Sequence, residues 1–261
     1  MQDWKRNVLK RTSWALLLCA GLALRADGLA DLRATLRKLQ GTDPVKVSVD
    51  YTFWRETSEE GGPVTLQGGV ATRAEDGPPG LRIIWDRATL LAAEAEQRAT
   101  TLAVARQAPT AQIMKSLTAL DIAEHLNEGA TLDRFLLQAT LVDVRPDTWQ
   151  ARPATLLVVR LVPVITPPSL RRAVKEIVAQ AQIWLAPDGT PLAYRSEVNY
   201  KGSRFMIHFQ GLQKEEIHFL RVGSRLVGVW ASNEEHQSGL GQSMTTRRSY
   251  RIALGEPGRT R

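Results

Sequence analysis

Residues 45–55 read VKVSVDYTFWR. Val45, Val47, Val49, Tyr51 and Phe53 alternate strictly with Lys46, Ser48, Asp50 and Thr52. Successive side chains of a strand point to opposite faces, so this stretch has one apolar side and one polar side. That pattern belongs to an antiparallel sheet, because parallel strands are buried on both faces and read as unbroken apolar runs. The stretch therefore predicts a strand of a sheet with one dry face.

Working outward, Leu29, Leu32, Leu36 and Leu39 recur at helical spacing upstream of it, and Gly41 and Pro44 end that helix. Downstream, ten more segments read as strands: 64–73, 81–85, 141–149, 154–163, 174–185, 192–200, 205–210, 217–222, 226–231 and 243–254. The separators EEGGP, EDGPPG and APDGTP supply turn chemistry, and the pairs KGSRF and VGSRL read as hairpin turns. TLLVVRLV, within 154–163, is apolar on both faces apart from Arg160, which predicts a central strand. The strands are interrupted once, by a helical block over 87–140. In it, 87–106 is alanine-rich with leucines at helical intervals. Pro109 starts a second helix with Ile113, Leu117 and Leu120 inward, ended by Asn127 and Gly129. Thr131 caps a third, with Leu132, Phe135, Leu136 and Ala139. The fold class is α+β: a curved antiparallel sheet of about 11 strands, an unclosed barrel, with the helical block covering its concave face.

The N-terminus predicts export. Lys5, Arg6, Lys10 and Arg11 precede an uncharged run from Trp14 to Leu24, ended by Arg25 and Asp27. That run is too short to span a bilayer, which takes about 20 apolar residues. It fits a secretory signal peptide over residues 1–26, with cleavage after Ala26 or as late as Ala30. Cys19 lies mid-run behind three leucines, where a lipoprotein signal wants a small residue before its cysteine, so it reads as an ordinary signal residue. The protein left after cleavage has no cysteine, hence no disulfide, thiol chemistry or zinc–thiolate site. Residues 27–254 form one domain, and 255–261 a flexible basic end. The chain is predicted to be periplasmic, soluble and not lipidated.

The formal charge of +7 falls to +3 once residues 1–26 are removed, and Arg247 to Arg261 carry +4 of it, so residues 27–246 are near neutral. No basic face interleaved with aromatics appears, which excludes a nucleic-acid binder. The arginines of Arg247–Arg261 are a predicted contact for an anionic membrane surface or a protein partner.

Catalytic signatures are lacking. Asp121, Glu124 and His125 lie close on a helix but read as a solvated face, with no second ligand pair at metal spacing. His208 and His218 are predicted to sit on neighbouring strands. Ser203 and Ser224 lack a G-x-S-x-G frame. Asp147, Asp188, Glu215 and Glu216 read as turn or solvent-face acids. Neither phosphate loop, dinucleotide fingerprint nor EF-hand is present, so no cofactor, metal or catalytic residue is predicted. Trp54, Trp85, Trp149, Trp184 and Trp230 fall on different strands, Trp54 and Trp184 opposite the apolar stripes. They read as packing or as an aromatic rim.

The order signal peptide, first short helix, strands and helical block resembles the periplasmic lipoprotein-carrier (LolA/LolB-like) superfamily. Its members build an unclosed antiparallel barrel with helices as a lid. The resemblance is one of architecture over residues 27–254 and implies a hydrophobic cavity. It makes the leading expectation a non-enzymatic exported binding protein for a hydrophobic or amphiphilic ligand, a lipid or acylated molecule. The alternative is a periplasmic sensor or assembly module with a filled core. The predicted lining is Val47, Val49, Tyr51 and Phe53, then Ile177, Ala179, Ala181 and Ile183, and Phe205, Ile207 and Phe209. Alternation places each set on one face, and the two alanines leave volume there.

Overall fold

A computed structural model describes residues 28–59, 62–99, 108–163, 171–204, 207–239 and 241–255. Residues 1–26, predicted to be a signal peptide, the last six residues and Phe205 lie outside the described residues.

Helix α1 (Gly28–Lys38) precedes β1 (Val45–Glu59), β2 (Gly62–Asp76) and β3 (Arg82–Trp85). Among the described residues four helices follow: α2 (Arg87–Arg98), α3 (Pro109–Ser116), α4 (Ala119–Leu126) and α5 (Glu128–Phe135), the last running into a 3-10 turn at Leu136–Gln138. Seven strands complete the chain: β4 (Thr140–Trp149), β5 (Arg152–Arg160), β6 (Val174–Leu185), β7 (Pro191–Arg204), β8 (Ile207–Val222), β9 (Arg225–Gly239) and β10 (Gln242–Leu254).

All ten strands join one sheet in the order β3-β2-β1-β10-β9-β8-β7-β6-β5-β4. Every pairing is antiparallel. Each neighbour is a hairpin partner except at one seam, where β1 meets β10 with Val49 opposite Ile252 and Tyr51 opposite Tyr250. The sheet stays open, with β3 and β4 as its edges, and the helices of 87–135 carry the chain from one edge to the other.

The helices cover one face. α3 packs on β2, α4 and α5 pack on β9, and α1 packs on α5. Beneath them the β1 stripe is buried from Val45 to Phe53, together with Tyr250 and Ile252 of β10 and Ile183 of β6. The helices contribute Leu32, Leu36, Ile113, Ile122, Leu126 and Leu132 to this core. The α4 boundary is set by a capping box: Thr118 Oγ1 accepts from the Asp121 amide, and the Asp121 carboxylate accepts from the Thr118 amide.

Several sequence expectations are corrected. Ten strands replace about eleven, because 207–210 and 217–222 belong to the single strand β8; residues 213–216 are polar on both faces and give no alternation to read. The 154–163 strand, β5, is not central but next to the β4 edge. It is apolar on both faces because a second small core on the uncovered face takes Leu156 and Val158 against Trp184 and Trp149. The second predicted helix breaks at Leu117, so Leu120 faces solvent at 75 % exposure. Thr131 is inside α5 rather than capping a helix, and Gly129 lies inside it as well; the N-cap position of α5 is Asn127, and Thr118 caps α4. Ser203 is strand, paired with His208, whereas Gly223 and Ser224 do turn. Arg247 to Leu254 is no tail: it is most of β10, a strand with neighbours on both sides, which withdraws those residues from the predicted partner contact.

Candidate functional site

Ten of the eleven predicted lining residues divide between two places, and Phe205 lies outside the described residues. Val47, Val49, Tyr51, Phe53, Ala179, Ala181 and Ile183 are all buried, at 6 % exposure or less. Register puts the β6 residues in line with the covered face: Ile183 pairs with Tyr194, Ala181 with Ser196, Ala179 with Val198 and Ile177 with Tyr200. Toward the far end of β6–β8 the cover thins. Ile177 and Phe209 are half-buried, and Ile207 is 38 % exposed.

Between the helices and the sheet lies a polar cluster that sequence reasoning missed. His125 is buried rather than on a solvated face, with Nδ1 2.8 Å from Glu128 Oε1. Glu128 fits because β9 has Gly228 beneath it: a Cβ there would lie 3.0 Å from Glu128 Oε1 and 3.2 Å from Ile217 Cγ2. The His125 ring lies 4.6 Å from Tyr250, and Tyr250 lies 4.8 Å from Tyr51. The Tyr51 hydroxyl is 3.2 Å from Ser116 Oγ on α3. Burial alone pushes His125 toward its neutral form, but the Glu128 bond and charge outweigh it and raise its proton affinity. Burial also raises the Glu128 carboxyl, which the histidine only partly offsets. Both shifts describe one proton held between the two groups more firmly than either would hold it alone.

Glu215 of β8 faces this cluster. It is not a solvent-face acid: burial, then the Glu128 charge, push its carboxyl up to about 7. Burial likewise raises the phenols of Tyr194 and Tyr250. The spacing His125–Glu128 is i,i+3 and was readable, although the helix breaks at Asn127 between them; the Gly228 gap opposite was not, because it depends on β8–β9 register.

The second place is the far end of the sheet. Tyr200 lies across Gly211, where a Cβ would fall 2.2 Å from the ring, and Phe209 lies across Gly202, where one would fall 2.5 Å away. Both glycines are therefore required by close approach. The rings sit 6.5 Å apart. Around Phe209 a hollow of ≈ 720 Å³ is lined by Lys175, Lys201, Gly202, His208 and Gly239 among others. Its lining includes an aromatic ring, three glycines and two lysines. Lys201 pairs with Glu176 at 2.7 Å, with both side chains more than half exposed, so the pair is weak.

His208 and His218 lie on one strand, β8, not on neighbouring ones, and pair with Ser203 and Ala193. Asp147 accepts from Trp184 Nε1 at 3.0 Å, and Glu216 pairs with Arg195 at 2.8 Å. Among the described residues no group of three or more His, Cys, Asp or Glu side chains is placed to hold a metal ion. No helix among them is long and apolar enough to cross a membrane.

No known family and no curated protein matches the sequence. Among solved structures, a putative outer membrane lipoprotein-sorting protein domain from Vibrio parahaemolyticus matches over 90 % of this chain and 94 % of its own, at 7 % identity and a TM-score of 0.29. A chain of the Pseudomonas aeruginosa MucA/MucB complex matches over 86 % of this chain and 95 % of its own, at 10 % identity and a TM-score of 0.19. At these TM-scores the likenesses decide neither fold nor function.

Proposed function

We propose that the chain is a non-enzymatic, exported binding protein for an amphiphile, a lipid or acylated molecule taken up at the far end of the sheet. The observation that carries the reading is the ≈ 720 Å³ hollow lined by Phe209, glycine backbone and the lysines Lys175 and Lys201. Its size falls in the range of small-molecule sites, and apolar surface beside cationic groups suits an acyl chain with a polar head. The basic and apolar run of residues 1–26 supports a periplasmic location. Ile177 and Ile207 extend the apolar surface next to the hollow. The other predicted lining residues act as the packed base that holds the strands in place.

Uptake of a dansyl-labelled fatty acid by the purified protein tests this. Saturable binding is expected, reduced at least tenfold by Phe209→Asp and weakened by Lys201→Glu, which is exposed and leaves the fold alone. Binding that neither variant changes would remove the far-end site from consideration.

The filled core beneath the helices favours a second reading, a periplasmic sensor or assembly module. Tyr51, Val49 and Ile183 are 1 % exposed or less. A protein that takes up no amphiphile but is captured by a periplasmic partner fits the module and not the carrier.

A further inference from the structure

The sheet face away from the helices carries three aligned rows across β6–β9. One is Trp184–Ala193–His218–Trp230, the next Gln182–Arg195–Glu216–Ser232, the third Gln180–Glu197–Lys214–Glu234. Trp149, from the tip of β4, folds over Ala193 in the first row. Its ring centroid is 4.8 Å from Trp184 and 5.0 Å from His218, and His218 is 4.5 Å from Trp230. The small alanine, 0 % exposed, makes room for this continuous aromatic stack. Beside it a hollow of ≈ 580 Å³ lies over the two polar rows, with half-buried Trp230 as its aromatic wall.

Each charged side chain of the two polar rows has a partner, and Glu215, the remaining acid of the lining, is pushed toward its neutral form by burial. Arg195 meets Glu216 at 2.8 Å, Lys214 meets Glu197 at 3.9 Å, and Glu234 meets Arg247 at 3.1 Å. An ionic ligand would meet a countercharge of each sign along both rows. Gln180, Gln182 and Ser232 add neutral amides and a hydroxyl, so the floor offers donors and acceptors without net charge. A pyranose ring has the complementary form: one face of C–H groups for an aromatic wall, and a rim of hydroxyls that each donate and accept. We propose that this face binds a neutral saccharide, with its C–H face on Trp230 and its hydroxyls on the Gln180–Gln182 and Arg195–Glu216 edges. The site is separate from the far-end hollow and does not rest on the amphiphile reading.

The test is saturation-transfer NMR on the purified protein with cellotriose, chitotriose and maltotriose as probes. At least one should give ring-proton transfer that titrates. Trp230→Ala should weaken it at least tenfold. Because Trp230 also supports His218, Ser232→Arg serves as the second variant: it fills the hollow from an exposed-face position without touching the stack, and should weaken binding as much. Fatty-acid uptake should be unchanged in both. No transfer from any of the three sugars, a response to a polyanionic glycan alone, or an affinity that both variants leave intact would overturn the proposal.

Discussion

Glu215 shows what a single carboxyl contributes. Its pKa of about 7 in the folded state stands above the ordinary 4.5. Between those values the folded chain holds a proton the unfolded chain has released. The associated stability is complete below about pH 4.5 and is lost as pH rises to about 7, capped at roughly 3 kcal/mol and screened below that by its partial exposure. The raised proton affinity of His125 acts in the same direction. The hydrogen-bonded, lowered carboxyls of Asp86 and Asp188 act oppositely and only in more acid solution. Glu215→Gln is therefore expected to raise the thermal midpoint at pH 8 while leaving it unchanged at pH 5, measured by circular dichroism; an equal shift at both would show that the carboxyl does not titrate there. None of this was legible from EEIHF alone. Glu215 and Glu216 are consecutive acids, and only strand register tells that one faces the helices and the other Arg195.

At the scale of elements, the sequence was most legible where one periodicity ran without interruption. The β1 stripe and α1 appear where the alternation and the leucine spacing put them. β8 was not legible as one strand, because its middle has polar side chains on both faces: Gln213 stands opposite Glu235 on the covered side, and Lys214 opposite Glu234 on the other. β5 misled for the reverse reason, since an apolar second face came from Trp149 folding back rather than from a central position. The alanines of β6 give a test of packing. Ala181 is 1 % exposed within the core, so Ala181→Trp is expected to overpack and lower stability by roughly 1–3 kcal/mol in urea denaturation. A variant with the parent's midpoint would place free volume next to β6, where the sequence had put the ligand.

For the whole molecule, the pairing of β1 with β10 is the one contact that joins the two hairpin series into a single sheet. Thr52 and Ser249 sit directly opposite each other there, with hydroxyls 2.6 Å apart. A Thr52→Cys/Ser249→Cys double variant should form a cross-strand disulfide at this seam. Closing so long a loop is expected to stabilise by about 3–5 kcal/mol, read as a shift in denaturation midpoint that reductant abolishes. An oxidised variant with no shift would mean the seam persists in the unfolded chain.

The same seam has a consequence in time. Ribosomes deliver β1 first and β10 last, so the apolar row from Val45 to Phe53 lacks one of its two strand neighbours until the final 13-residue strand has emerged. A nascent chain of this protein cannot close this seam before β10 has been made. A message truncated before codon 242 would release a polypeptide with that row open along one side, a substrate for chaperones and proteases rather than a smaller version of the fold.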